Sequence, residues 1–468
     1  MDSDRTSLLV PLSSVDQAGV ESSLSVLAYV VSAEHGFDAP ALRAACLRLV
    51  EKWRLLAGAL VWVPEASTYA VRVPLGPIDP EERLHFTEAT EKSNMSLEGG
   101  EMGGQQEAKT VKTPAMKYFV HKDTQGALAS LARSSKPILN VHVTHFKDYT
   151  CVGIAVPHGV FDGTGHGALT QYLDAELHGR EYTPPPLQTS NILQAVFDEF
   201  NANPETSAPS DKHMLMLDNL KRELVQSGVR TVAALAGRVG YEYLWHKAED
   251  RALYLGRDVI ERIVSRVKAD VKKADPNAWV STSDVLYMWA VQTAYADEAP
   301  DEHHAVSMMS AVSMRPLLTE LNKDFATYPH NCIVPAAFPL TDKASTKSAS
   351  LAGLALMHRR GIDAMRNLEY IQAWSRHVNV IGSSVPDRRW RHDSWICTNQ
   401  TVSKSTEIVF PGMNGSRTDI VGFFFYFTPI LPDHTIMMNE LNGGYILQGP
   451  LRRSRWRAID RALVELMK

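Results

Sequence analysis

The chain has 468 residues, of which 44% are hydrophobic and 22% charged. That composition excludes disorder and fibrous repeats, and the length exceeds what one hydrophobic core usually fills, so two domains are expected. The formal net charge of -5, with no dense basic block beyond Arg452, Arg453, Arg455 and Arg457, argues against a nucleic-acid partner.

Met1 to Thr6 lack the basic and apolar segments of a signal peptide, and the near-apolar stretch 420–431 is too short to cross a bilayer and carries Gly422 and Pro429. A cytoplasmic protein without a membrane partner is expected. Cys46, Cys151, Cys332 and Cys397 stand far apart with no metal-ligand spacing, which fits small buried side chains in a reducing compartment.

The first helix is predicted from Asp38 as N-cap, through Pro40, Leu42, Leu47, Val50 and Leu55, to an end near Gly58. The polar stretch 91–113 reads as an exposed loop insertion. Residues 138–146 alternate apolar with polar, turn at Lys147-Asp148 and return through 150–156, which predicts a β-hairpin. His158 falls just past the second strand, followed by a Gly-rich turn and a helix over 168–173.

The Pro-rich and polar intervals around 183–187 and 201–212 bracket another helix, and the crossover between domains is placed at 201–213. This gives an N-terminal domain at 1–200 and a C-terminal domain at 214–468. The second domain is predicted to open with helices around 214–239, 257–271 and 283–294, the last capped by Ser281 or Thr282. Strands at 423–431, 435–441 and 445–451 read as a meander, with turns at Pro432-Asp433-His434 and Asn442-Gly443-Gly444. The arginines of 452–457 precede apolar residues at helical spacing, so they are expected on the solvated face of a terminal helix.

Chemistry concentrates in Val156-Pro157-His158-Gly159-Val160-Phe161-Asp162-Gly163-Thr164-Gly165. Imidazole titrates near neutrality, so His158 can take a proton from an attacking hydroxyl or amine and later release it. Asp162 is too close in sequence to orient that ring easily; its carboxylate more readily bonds backbone amides or pairs with a distant Arg, holding the loop. The glycines of 163–167 read as backbone that lets substrate approach. Spacing alone leaves open a satisfied turn histidine with Gly163 as a helix-start glycine.

His158 to Gly163, H-G-V-F-D-G, resembles the HxxxDG motif of the BAHD-type acyl-CoA-dependent acyltransferases of the chloramphenicol-acetyltransferase-like superfamily. Leu8 to Ser13 resembles the family's opening strand, and Leu42 to Gly58 its first long helix with the following "LAG". Ser281-Thr282-Ser283-Asp284-Val285-Leu286 resembles the "STxDxL" helix start, while Ser313 to Pro316 and Tyr328 to Asn331 resemble "DxRxR" and "YxGN".

The resemblance implies a mixed α+β fold of two pseudo-symmetric domains, each a mixed sheet flanked by helices, with a tunnel between them. It implies that His158 deprotonates the acceptor, that Asp162 pairs with an Arg, for which Arg315 is the candidate, and that Gly163 completes the loop. It further implies acyl-CoA, most simply acetyl-CoA, as co-substrate, a small-molecule acceptor and a monomer. No permanent cofactor and no metal are implied. Ser281, Thr282 and Arg315 are the candidate contacts to CoA, although helix capping explains Ser281 and Thr282 equally well.

Three departures point to a divergent branch whose texture resembles fungal secondary-metabolite acetyltransferases. The late DFGWG motif is reduced to Glu407-Ile408-Val409-Phe410-Pro411-Gly412, Ser313 and Leu317 replace the Asp and second Arg of DxRxR, and His330 stands where Gly is frequent. A serine hydrolase is disfavoured by the lack of a G-x-S-x-G elbow. A condensation-type catalyst of carrier-protein thioesters usually has a second His before the motif His, where this chain has Pro157. A non-catalytic binding protein on the same fold is disfavoured by the presence of both His158 and Asp162. The paired His303-His304 is expected in a solvated turn, and His142 at a surface or core edge.

Overall fold

The computed structural model describes residues 6–17, 23–77, 79, 82, 84–202, 224–226, 229–376, 378, 384–386, 392–428 and 434–467. The crossover predicted at 201–213 lies outside them from 203 onward, as do the first ten residues of the helix predicted at 214–239.

The helix Ala39–Lys52 starts where the Asp38 carboxylate accepts a hydrogen bond from the Ala41 amide and Pro40 fills the first turn. It buries Leu42, Ala45, Cys46, Leu49 and Val50. The strands are β1 (Ser7–Pro11), β2 (Leu24–Ser32), β3 (Ala59–Val63), β4 (Thr68–Pro74), β5 (His85–Thr90), β6 (Ala108–Lys112), β7 (Asn140–His145), β8 (Tyr149–Pro157) and β9 (Leu224–Gln226). Then follow β10 (Glu249–Leu255), β11 (Ala305–Ser313), β12 (Ile333–Asp342), β13 (Ser384–Pro386), β14 (His392–Asn399), β15 (Ile420–Thr428), β16 (Thr435–Leu441) and β17 (Gly444–Leu451).

Two large sheets organise the molecule. One runs β15-β2-β8-β7-β5 and the other β12-β11-β14-β16-β17-β10-β6. Both are mixed, with β5 parallel to β7, and β14 parallel to β11 and β16. The first packs its core against helices Ala39–Lys52 and Gly163–Leu177. The second packs against helices Arg257–Ala274, Thr282–Ala294, Leu351–Met365 and Arg453–Leu466. Among the described residues no helix is long and apolar enough to cross a membrane.

Each sheet takes one strand from the other half of the chain, and this corrects two expectations. The stretch 91–113 contains β6, which pairs antiparallel with β10 at the edge of the seven-stranded sheet. In its Ala-Lys-Thr-Val-Lys sequence the apolar residues stand three apart, at 108 and 111, so no period-two alternation announces the strand even though Val111 is buried. The predicted meander splits: β16 and β17 form the hairpin, whereas β15 pairs with β2 in the other sheet. The Asn442-Gly443 turn has both φ angles positive, 53° and 76°, as a two-residue hairpin requires. Gln448 of β17 joins the two sheets: its Oε1 accepts from the Phe425 amide at 2.7 Å, and its Nε2 donates to the Phe425 carbonyl at 3.0 Å.

The terminal helix forms at Arg453–Leu466, but its arginines are not all solvated. Arg455 is fully buried and donates to Glu298 and Asp393 at 2.7 Å each, and Arg452 pairs with Glu242. Periodicity cannot register a cation on the inward face when its carboxylate partners come from distant segments. His304 is likewise buried against Asp393 at 3.2 Å instead of standing in a solvated turn. His142 is buried between the Thr87 and Thr144 hydroxyls, inside the core edge and not on the surface.

Candidate active site

Strand β8 carries the motif to the end of the five-stranded sheet. Its last bonded pair is Leu24↔Pro157, after which the His158 amide donates to the Ser23 carbonyl and the chain turns through Val160. Asp162 then caps the helix Gly163–Leu177, its Oδ1 accepting from the amides of Thr164 and Gly165 at 3.0 and 3.1 Å. The side chain of His158 is half-buried at this junction, its ring stacked on Phe427 of β15 with centroids 5.1 Å apart.

The orientation of the His158 ring follows from one contact. Nδ1 lies 3.0 Å from the Phe161 carbonyl oxygen. A carbonyl can only accept, so Nδ1 carries the proton and Nε2 keeps the lone pair of a base. Burial pushes the imidazole below its ordinary value of 6.5, while the Phe161 carbonyl and the charge of Asp162 oppose that shift. The ring is therefore neutral at pH 7.

Asp162 is the hub of the loop. Besides capping the helix, it receives Arg315 Nη1 on Oδ2 at 2.8 Å and Nη2 on Oδ1 at 3.0 Å, and Oδ2 also accepts from the Cys332 amide at 3.1 Å. Burial would raise this carboxyl, but the Arg315 charge and these donors hold it below the usual carboxylate value. Arg315 itself is buried, and its other contacts are the carbonyls of Tyr328 and His330. The guanidinium faces inward on these four acceptor contacts, the geometry of the Asp162 partner.

The segment 328–331 clamps the same loop from the other half of the chain. His330 Nδ1 lies 3.0 Å from the Val160 carbonyl, and Asn331 Nδ2 donates to the His158 carbonyl at 2.8 Å. Asp16 holds Asn331 in turn, accepting from its amide and its Nδ2 at 2.9 Å. Asp16 was not singled out in the sequence, although Ser13-Ser14-Val15-Asp16 has capping-box spacing and its Ser13–Asp16 bonds form that motif. His330, read as a departure, thus bonds the motif backbone.

The glycine-rich run has a different reason from the one expected. Residues 163–167 are helical, and a Cβ on Gly165 would lie 2.2 Å from the Pro329 carbonyl oxygen, and one on Gly167 2.4 Å from that of Ser403. These two glycines let protein backbone approach, not substrate. Gly163 is the first helical residue, and a Cβ on it would lie 3.4 Å from the Gln400 side chain, an ordinary contact.

Ser281 and Thr282 lie at a different helix start. Ser281 makes a complete capping box with Asp284 and also accepts from Arg359, so its hydroxyl is committed to the fold. Thr282 is half-buried beside it. Asn399 donates to Ser283 of this turn, and its neighbour Gln400 lies on Gly163, which links the two helix starts. A cleft of about 520 Å³ opens here, lined by Gln400, Lys404, Ile408, Arg417, Asn439 and Asn442 among others. The 407–412 stretch borders it and is anchored by Phe410, which packs edge-on against Tyr29 at 5.0 Å.

Two further residues of the site were missed. Phe427 enters on β15, whose place in this sheet no local pattern announces. His166 sits one helical turn beyond Asp162, buried, its ring 6.3 Å from that of His158. The only sequence signal for it was a second histidine eight positions after the first.

No family model matches the chain. Among curated proteins it is 26% identical over 247 residues to O-acyltransferase pboC of Aspergillus ustus, covering 53% of this chain and 49% of that protein. It is 24% identical over 392 residues to acetyltransferase pyiB of Pyricularia grisea, covering 81% of this chain and 73% of that protein. The match thus spans about half of the first relative's length and nearly three quarters of the second's. Among solved structures, TRI101 of F. graminearum complexed with coenzyme A and T-2 mycotoxin superposes with a TM-score of 0.66 at 12% identity, over 98% of each chain. In fold the chain is similar to TRI101, and in sequence it is similar to fungal O-acyltransferases and acetyltransferases.

Proposed function

We propose that the protein transfers an acetyl group from acetyl-CoA to a hydroxyl or amine of a small, secondary-metabolite acceptor, with His158 as general base. The observation that carries this reading is the His158 ring itself: Nδ1 is tied to the Phe161 carbonyl, and Nε2 is the remaining basic atom, at the end of β8 where the ring stacks on Phe427 of β15. Nε2 takes the acceptor proton as the oxygen or nitrogen attacks the thioester carbonyl carbon. The tetrahedral intermediate then collapses, the carbon–sulfur bond breaks, and the departing thiolate takes the proton back from Nε2 to give free CoA. Asp162 does not touch the ring in this scheme; with Arg315 it fixes the loop that aims it. Support also comes from the relatives' names and from the coenzyme A bound by TRI101.

Thermal unfolding against a panel of acyl-CoAs tests the donor without knowledge of the acceptor. A donor at 100 times its dissociation constant stabilises the fold by about 2.7 kcal/mol. A midpoint unmoved by every acyl-CoA defeats the reading and favours a carrier-protein thioester in its place.

The pH dependence follows from the sign of the shift. With the His158 imidazole held below 6.5, its base form persists to lower pH than that of a free histidine. The acidic limb of kcat/KM for the acceptor is expected below 6.5, with a flat profile between there and neutrality. A limb above 7 contradicts a buried neutral base.

A further inference from the structure

His166 is the group at this site that the fold leaves unused. It is 1% exposed, and neither Nδ1 nor Nε2 has a hydrogen-bond partner among the described residues. A buried polar group without a partner costs stability, so natural folds rarely retain one without a reason. Its environment is the motif: the ring packs edge-on to Phe425 at 5.7 Å, and Phe425 in turn lies 4.8 Å from Phe427, on which His158 stacks.

Register places further unsatisfied atoms on this face. Ser25 of β2 pairs with both Val156 and Phe427, so its side chain projects to the same side of the sheet as theirs. Among the described residues its buried Oγ also has no hydrogen-bond partner, nor does Gln400 Oε1, whose side chain lies near Gly163. Buried polar atoms thus gather around the motif without bonds among themselves, which is the pattern of a surface built to receive a polar ligand.

We propose that His166 is a second catalytic imidazole, which donates one N–H to the carbonyl oxygen of the acyl thioester as negative charge develops on it. The inference rests on the acyl-transfer reading above and assigns it an oxyanion donor. The two ring centroids are 6.3 Å apart. In the reacting complex each ring holds its own oxygen at about 2.7–3.2 Å, His158 the attacking oxygen and His166 the thioester carbonyl oxygen. No proton changes hands at His166: the N–H stays on the ring while the carbon–sulfur bond breaks and His158 moves the proton. A donor of this kind must stay neutral beside a protonated His158, and burial, then the neighbouring His158, push this imidazole down to about 3.

The test compares wild type, His166→Leu and His166→Gln in acetyl-CoA turnover with an acceptor and in ligand-free thermal unfolding. His166→Leu is expected to lower kcat by about 10²–10³ while KM for acetyl-CoA moves less than about threefold, and His166→Gln to recover at least tenfold of that loss. The ligand-free midpoint of His166→Leu is expected to equal or exceed that of wild type, since an unpartnered imidazole is removed. An active wild type with His166→Leu within threefold of it overturns this inference alone. So does a His166→Leu whose midpoint falls by several degrees and whose activity glutamine does not recover, because the ring then serves packing. A wild type that transfers no acyl group to any acceptor overturns the acyl-transfer reading, and this inference with it.

Discussion

Arg315→Ala lowers the stability of the protein by about 3–5 kcal/mol, measured by denaturant unfolding, because it leaves the Asp162 carboxylate buried without its counter-charge. Two helix amides and the Cys332 amide remain as donors to Asp162, but none supplies a positive charge. The same truncation frees the Tyr328 and His330 carbonyls, which Arg315 also binds. Lysine does not rescue the loss, since one ammonium cannot reproduce two parallel N–H bonds to a carboxylate and reach both carbonyls. The pH sign is fixed by the depressed carboxyl: the contribution is present above 3.8 and lost as pH falls through the lower folded value. A loss below about 1 kcal/mol contradicts the assignment of Arg315 as the pair's buried half.

His158→Ala reduces kcat by about 10²–10⁴, a barrier increase of about 3–5 kcal/mol, with KM for acyl-CoA nearly unchanged. In the proposed mechanism the effect falls on kcat because Nε2 acts on the proton only as the new bond forms. The fold is expected to survive, since the ring contributes one hydrogen bond to its own loop and one stacked contact to Phe427. Arg315→Ala and His158→Ala therefore separate the two halves of the motif: the first reads out in stability, the second in turnover.

What was legible in the sequence is what short-range physics writes locally. Asp38 and Pro40 announce the helix Ala39–Lys52, the alternation at 138–156 announces the β7–β8 hairpin, and His158 is found at its end. The Ser281 cap was legible from its spacing to Asp284. The exchanged strands were not, because β15 and β6 find their partners in the opposite half of the chain and look locally like a meander and a polar loop. Arg455 shows the same limit, as only the fold brings Glu298 and Asp393 to it. The glycines at 165 and 167 were recognised as positions of close approach, but what approaches is the backbone at Pro329 and Ser403. His166 is not legible locally, since a histidine inside a helix carries no periodic signal of its own.

Acceptor-dependent release of CoA from acetyl-CoA, followed together with the mass of the acceptor, tests the central claim most directly when wild type and His158→Ala are run side by side on hydroxyl and amine compounds. The account predicts one acetyl group gained by the acceptor for each CoA released by wild type, and a rate at least about a hundredfold lower for the variant. Equal rates in the two proteins, or acetyl-CoA consumed with no acetylated acceptor, would contradict it.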